Sequence, residues 1–149
     1  MWYNEYHTIT DSGLDPDELI VFFLHDYGMD FPEDGLYTLE KTVAADPAMV
    51  SAFVRASMEG WRYAFAHPDE AIDVVIRRMT EAHLPANRVH QRWMLDRIRD
   101  LALPGGREDS LGVLKEADYR AIAGTLLRER LITSHPDYQD FARRPDAGR

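Results

Sequence analysis

Apolar residues recur every three or four positions along most of the chain after residue 46, which is the spacing of an amphipathic helix. Asp46 and Pro47 suit the N-cap and the first helical position of a segment that runs to about residue 66. Pro68 starts the next segment, over residues 68–83, and a further segment over residues 86–103 follows Pro85. The last periodic segment covers residues 114–130, so the pattern predicts four consecutive helices.

Each predicted helix has an apolar stripe that we expect to face a core. The stripes comprise Val50, Phe53, Val54, Ser57, Trp61, Ala64 and Phe65; Ala71, Ile72, Val75, Ile76 and Met79; Met94, Leu95, Ile98, Leu101 and Ala102; and Tyr119, Ile122, Ala123 and Leu126. A further short helix is predicted over residues 2–12, where Gly13 would stop it. Replacing Trp61, as a buried aromatic, by alanine should cost about 3–5 kcal/mol of stability.

The sequence LIVFFLH, residues 19–25, breaks the helical pattern. This run is continuously apolar and has turn signals on both sides, which is typical of a strand buried on both faces. Residues 36–39 are a second, shorter candidate strand. An apolar strand needs a neighbour for its backbone groups. We therefore expect residues 19–25 to pair with residues 36–39 or with another polypeptide, either in a homodimer or in a larger protein of which this chain is the later part.

The predicted fold class is α/β and strongly helix-rich, with one or two strands and five or six helices. The formal net charge of −9 argues against a nucleic-acid partner, since phosphate binding needs a basic face. The absence of cysteine excludes disulfides, thiolate metal sites and cysteine nucleophiles. No apolar run reaches the ~18 residues that span a bilayer, and no signal peptide precedes Trp2. None of the six histidines lies in a zinc motif and no serine lies in a GxSxG motif, so we expect no metal, cofactor or catalytic residue.

The segment DYGMDFPEDGLYTLEKTVAADPAMVSAFVRASMEGWRYAFAHPDEAIDVV, residues 26–75, resembles the later half of bacterial ABC-transporter solute-binding proteins. The branch it resembles is the NMT1-like one, which binds thiamine-pyrimidine precursors, sulfonates, taurine or nitrate. The similar features are an Asp-Tyr-Gly turn after a strand, an acid-Pro helix start, and the pattern FVRAS…GW.YA…HP.EA. The resemblance runs from about residue 2 to residue 103 and covers about half of a family member.

The family has two α/β lobes joined by a hinge, with the ligand in the cleft between them. The resemblance implies a partial type II periplasmic-binding-protein fold. Residues 1–28 would be the end of the second lobe and the returning hinge strand, residues 29–136 the C-terminal helical part of the first lobe, and residues 137–149 a flexible tail. It also implies a periplasmic location, a small-molecule ligand, an ABC permease as partner, and binding without catalysis.

The sequence WYNEY, residues 2–6, resembles the aromatic-Asn-Glu stretch of the pyrimidine-binding members. Tyr3 would stack on a planar nitrogen heterocycle, such as a thiamine pyrimidine precursor, while Asn4 and Glu5 hydrogen-bond to its heteroatoms. Asp26 and Tyr27 would line the cleft at the hinge. The alternative is that the aromatic residues pack into a core, and that Asp26 and Tyr27 are an ordinary exit from a strand.

Three classes of function stay open. The first is a solute-binding protein for a planar heterocycle, or for a sulfonate or nitrate, since those relatives share the helical half. The second is an enzyme, because a eukaryotic branch of the family makes the thiamine pyrimidine with a cysteine-rich motif that this chain lacks. The third is a ligand-free helical oligomerisation module derived from the same scaffold.

Overall fold

A computed structural model describes residues 1–32 and 34–142. These residues form seven α-helices: α1 (Glu5–Asp11), α2 (Glu40–Ala45), α3 (Pro47–Ala66), α4 (Pro68–Glu81), α5 (Arg88–Ala102), α6 (Glu116–Arg128) and α7 (Tyr138–Phe141). Short 3-10 helices lie at Pro16–Glu18, Leu24–Tyr27, Pro104–Gly106 and Glu108–Ser110. The helical content agrees with the predicted helix-rich character, but the described residues contain no β-strand, so the predicted α/β class is not confirmed.

The helix starts follow the signals in the sequence. The backbone N–H of Met49 donates to Asp46 Oδ1 at 2.9 Å, and Pro47 occupies the first position of α3. Pro68 likewise begins α4. Asn87 Oδ1 caps α5 by accepting from the backbone N–H groups of Val89 and His90. The predicted starts of α3, α4 and α5 are therefore confirmed, because each of these places a capping oxygen or a proline where no intrahelical hydrogen bond is available.

The chain divides into two compact units. The first comprises Met1–Val21 and Ser57–Leu111, and within it α1 and α4 both pack against α5. Ion pairs on the surface of this unit join α4 to α5: Arg88 pairs with Asp73, and Arg92 pairs with Asp69. The buried side chain of Ile72, only 2% exposed, is the centre of its core.

The second unit comprises Phe22–Ala56 and Gly112–Arg149. Here α6 packs against α7, and Tyr119 and Ala123 of α6 are buried. The ring of Tyr119 contacts the rings of Tyr138 and Phe141, at centroid distances of 5.8 and 5.0 Å. Residues 138–141 of the predicted tail are thus helical, and residues 143–149 lie outside the described residues. The division at residues 28 and 136, drawn for the lobes of a larger protein, stays a prediction.

The structure corrects the prediction of a strand at residues 19–25. Leu19 and Phe23 have extended backbone angles, but no ladder forms with residues 36–39, and the chain turns into the 3-10 helix Leu24–Tyr27. Gly28 ends this helix in the left-handed region, at φ 72°. The physical reason is that a strand exists only through inter-strand hydrogen bonds, and the described residues offer this segment no partner.

Helix faces that look apolar in the sequence are only partly covered. Of the described residues, only Ile72, Tyr119 and Ala123 are buried. On α3, Phe53 is 60% exposed and Trp61 is 39% exposed, so the expectation that Trp61 is a buried aromatic is wrong. Periodicity states which face can be buried, but not whether a neighbour covers it. None of the described helices is both long and apolar enough to cross a membrane.

Candidate functional site

Aromatic side chains fix the N-terminal segment on α5. Trp93 of α5 lies beside Trp2 and Tyr6, with ring centroids 5.6 and 6.2 Å away. The indole N–H of Trp93 also donates to the backbone carbonyl of Trp2 at 3.3 Å. The guanidinium carbon of Arg97 lies 4.9 Å from the centre of the Trp93 ring, within the range of a cation–π contact. Trp2 and Tyr6 of WYNEY therefore form a local aromatic cluster with Trp93.

A hydrogen-bonded chain of three side chains runs beside this cluster. His7 Nδ1 and His90 Nδ1 are 3.0 Å apart, and His90 Nε2 is 3.0 Å from Asn4 Oδ1. Because the amide oxygen only accepts, His90 Nε2–H is the donor to Asn4. In neutral His90 the Nδ1 atom then carries a lone pair, and His7 Nδ1–H donates to it. The chain therefore has one direction, from His7 through His90 to Asn4.

The polar end of α5 holds the other end of α1. Asn87, besides capping α5, donates from Nδ2 to Asp11 Oδ2 at 3.2 Å. Thr8, one turn before Asp11, directs its hydroxyl to the backbone carbonyl of Asn4 at 3.3 Å. The bond between Asn87 and Asp11 places the polar face of α1 opposite the first turn of α5.

A cleft of about 440 Å³ lies at this junction, within the first unit. Its lining residues are Asn4, Thr8, Asp11, Met79, Pro85, Asn87, His90, Gln91 and Met94. Met79, Pro85 and Met94 provide apolar surface, and the other six provide hydrogen-bonding groups. Met79 comes from the last turns of α4, so three helices contribute to the cleft.

The lining suits a small, neutral or weakly basic polar molecule. The side-chain amide nitrogen of Gln91 makes a long contact to Met94 Sδ at 3.9 Å, and the amide can both donate to and accept from a ligand. Asp11 uses Oδ2 for Asn87, and its carboxylate can accept further hydrogen bonds. Flexible thioethers such as those of Met79 and Met94 adapt to flat apolar surfaces.

Among the predicted ligand-binding residues, Asn4 lines this cleft. Tyr3 donates its hydroxyl to Met1 Sδ at 2.9 Å, and the Glu5 carboxylate pairs with the amino group of Met1 at 2.7 Å. The hydrogen bond from that ammonium group, with a smaller contribution from the backbone N–H of Glu5, lowers the pKa of Glu5 below its ordinary value. Tyr3 and Glu5 are not among the residues that line the cleft.

Asp26 and Tyr27 belong to the second unit. Both lie in the 3-10 helix Leu24–Tyr27, and the Tyr27 side chain is 62% exposed. The neighbouring His25 pairs with Asp30 through its Nδ1 atom at 3.2 Å. The proposed hinge role of Asp26 and Tyr27 stays a prediction.

The sequence alone did not identify His7, Thr8, Asp11, Gln91 or the methionines as neighbours of Asn4. His7 and His90 are 83 positions apart, and no spacing rule joins them. The one available signal was Pro85 followed by Asn87, which marks the start of a helix and hence a polar end. Among the described residues, no group of three or more histidine, aspartate or glutamate side chains could hold a metal ion.

Comparison with known protein families finds one match. A family model described as "NMT1/THI5 like" matches residues 1–71, a range that contains α1, α2, α3 and the first residues of α4. No curated protein and no solved structure matches the chain. At a coarse level, this family consists of solute-binding proteins of ABC transport, generally periplasmic or extracellular and without catalysis, although THI5 itself takes part in thiamine synthesis. Residues 1–71 of the chain, including Asn4 and all of α1, are therefore similar to the NMT1/THI5-like family.

Proposed function

We propose that this chain is a substrate-binding component of an ABC importer and that it binds a small planar nitrogen heterocycle, such as an aminopyrimidine. The observation that carries the proposal is the cleft of about 440 Å³ beside Asn4. Of its lining residues, Asn4, Thr8 and Asp11 lie in residues 1–71, the part of the chain that is similar to the family. The volume of the cleft lies in the range of about 300–1,000 Å³ that is usual for small-molecule sites. By the same similarity, the proposed location is the periplasm and the proposed protein partner is a permease.

The chemistry of the lining supports a planar heterocycle. Met79 and Met94 offer apolar contact to the faces of a ring, and Gln91 can both donate to and accept from its edge. The Asp11 carboxylate is suited to an exocyclic amine, because a charged acceptor makes a stronger hydrogen bond than a neutral one. Carboxylate also disfavours an anionic ligand, which makes sulfonate and nitrate less suitable for this cleft.

Isothermal titration calorimetry with 4-aminopyrimidine tests the proposal. Gln91→Ala removes a lining amide whose contact to Met94 Sδ, at 3.9 Å, is long. It should weaken binding about tenfold, the scale of one hydrogen bond. Gln139→Ala, on the exposed surface of α7, is the matched control and should bind like the parent chain. Equal affinities for the two variants, or no heat with the parent chain, would count against this site.

The four other predicted contacts are also proposals: Tyr3 and Glu5 for the ligand beside Asn4, and Asp26 and Tyr27 for binding by the second unit taken by itself. Glu5→Gln replaces one acceptor oxygen with an amide donor and should weaken aminopyrimidine binding by about tenfold or more. Helix content should not change, because the Glu5 side chain is 54% exposed. Unchanged affinity would remove Glu5 from the binding surface.

A second candidate function is a ligand-free oligomerisation module, with a homodimer formed through residues 19–25. The exposure of this segment favours it: Ile20 is 84% exposed, Phe22 70% and Leu24 61%. Consecutive exposed apolar side chains on an extended backbone are typical of a segment that pairs with another chain. A stable dimer that binds none of the planar heterocycles would favour this candidate over the importer component.

A further inference from the structure

We propose that His7 and His90 form a proton-operated latch that holds α1 on α5 and so controls access to the cleft. The latch is a property of the contact between the two helices. Its effect on a ligand rests on the proposed function. A hydrogen bond joins the imidazole of His7 on α1 to that of His90 on α5, with the two Nδ1 atoms 3.0 Å apart.

The hydrogen bond between the rings limits how many protons the pair can carry. In the neutral pair, His7 Nδ1–H donates to the lone pair of His90 Nδ1, while His90 Nε2–H donates to Asn4 Oδ1. A first added proton fits on His7 Nε2, because both existing bonds survive. A second proton has to go on His90 Nδ1, the acceptor. Two N–H groups would then face each other between two positive rings, and the contact would be repulsive.

The direction of the pH dependence follows. The docked arrangement takes up one proton fewer than two separated histidines, so docking is favoured at neutral pH and lost as the pH falls. Histidine is the side chain that ordinarily changes charge between about pH 5 and 8. We therefore expect α1 to leave α5 as the solution is acidified.

The other charged groups near the pair already have partners. On α1, Glu5 pairs with the amino group of Met1, and Asp11 accepts from Asn87. On α5, Arg97 pairs with Asp100 and Arg99 with Asp96, while Arg88 and Arg92 pair with Asp73 and Asp69 of α4. None of these carboxylates is hydrogen-bonded to either imidazole in the described contacts, so no anion there offsets a second positive charge.

Opening of the latch would dismantle the cleft. Asn4 is hydrogen-bonded to His90, and Thr8 and Asp11 lie on α1 itself. These three residues form one wall of the cleft. Movement of α1 away from α5 therefore removes three of its polar groups at once, and a bound molecule would be released at acidic pH.

Tryptophan fluorescence of the ligand-free protein reports the latch. The chain has three tryptophans, and Trp61→Phe leaves Trp2 and Trp93, whose rings are in contact across α1 and α5. In this background, titration from pH 8 to pH 4.5 should show a transition coupled to the uptake of about one proton, while far-ultraviolet circular dichroism retains the signal of α3 to α6. Absence of a transition in this range would overturn the latch.

His7→Gln tests the assignment. The introduced amide can donate to neutral His90 Nδ1 or, after rotation, accept from the protonated ring. Protonation of His90 then no longer opposes docking, so the transition should be lost or its midpoint should fall by about one pH unit or more. His67→Gln, at the α3–α4 junction, is the matched control and should titrate like the parent. An unchanged midpoint and slope in His7→Gln would overturn the proposal.

If His7→Gln does not fold, nitrogen-15 spectra of the parent protein give a direct test. At pH 7.5 the docked pair requires a proton on Nδ1 of His7 and none on Nδ1 of His90. Two unprotonated Nδ1 atoms would overturn the latch.

A separate arm measures 4-aminopyrimidine binding at pH 7.5 and pH 5. Loss of affinity at pH 5 in the parent but not in His7→Gln supports coupling between latch and cleft. Absence of binding at both pH values would count against the proposed function, while the fluorescence titration still decides the latch.

Discussion

The phenol of Tyr63 shows how one carboxylate can change the acidity of a neighbour. Its hydroxyl donates to Glu70 Oε2 at 2.8 Å, from α3 to α4. Because ionisation would destroy this hydrogen bond, the bond raises the pKa of Tyr63 above its ordinary value, with smaller contributions from desolvation and the negative charge of Glu70. The contact stabilises the fold below the pKa of an unfolded tyrosine, and the stabilisation is lost as the pH rises through the folded value.

Glu70→Gln should lower the pKa of Tyr63 toward that of a free phenol. Carbon-13 spectra of labelled tyrosine, recorded from pH 8 to pH 12, follow this titration. Glu81→Gln, on the same helix but paired with Arg78, should leave the titration unchanged. A Tyr63 titration that is insensitive to Glu70→Gln would show that the contact is absent in solution.

Two tryptophans should differ in their contribution to stability. Trp93 contacts Trp2, Tyr6 and His7 and donates a hydrogen bond, whereas Trp61 is 39% exposed. Trp93→Ala should cost about 3–5 kcal/mol, the usual loss for a packed aromatic, and Trp61→Ala less than half of that. Urea unfolding of both variants makes the comparison, and an equal or larger loss for Trp61→Ala would contradict the exposure of its side chain.

At the scale of the element, Asn87 has two roles in positioning α5. Its oxygen caps the helix at 3.0 and 3.1 Å, and its nitrogen binds Asp11 of α1. Asn87→Ala should destabilise the chain by about 1–2 kcal/mol. Asn87→Ser keeps a capping oxygen and should recover most of the stability, but not the bond to Asp11. A thermal unfolding series of the three proteins measures this, and no recovery in the serine variant would assign the loss to Asp11 instead of the cap.

The helices were predictable because their signals are local. Pro47, Pro68 and the capping residues Asp46 and Asn87 act on backbone groups within one turn, and no distant residue is needed. The apolar run at residues 19–25 was misread for the opposite reason, since a strand is defined by its neighbour. In the candidate site, the family resemblance singled out Asn4, whose role in binding stays a prediction. Its partner His90 is 86 positions away and has no local signal.

At the scale of the whole molecule, the exposed segment at residues 19–25 should control association. Phe22→Lys introduces a charge in the middle of the apolar run and should shift any dimer to monomer, because unpaired extended segments are blocked by lysine. Sedimentation velocity at micromolar concentration measures the species present. Val74→Lys, which also places lysine at an exposed apolar position, is the matched control and should keep the association of the parent. Equal effects of both substitutions would assign association to another surface.

The scarcity of buried side chains has a calorimetric consequence. The heat capacity of unfolding arises mainly from water that newly surrounds apolar groups, and it averages about 12–15 cal/mol/K per residue in compact domains. Only Ile72, Tyr119 and Ala123 of the described residues are buried, and many large apolar side chains are exposed, so much of their apolar surface is already hydrated before unfolding. Its stability should therefore vary little with temperature around the maximum, with a flat curve and a broad melting transition. Binding to a protein that covers residues 19–25 would bury apolar surface, raise the heat capacity of unfolding and so make stability vary more steeply with temperature.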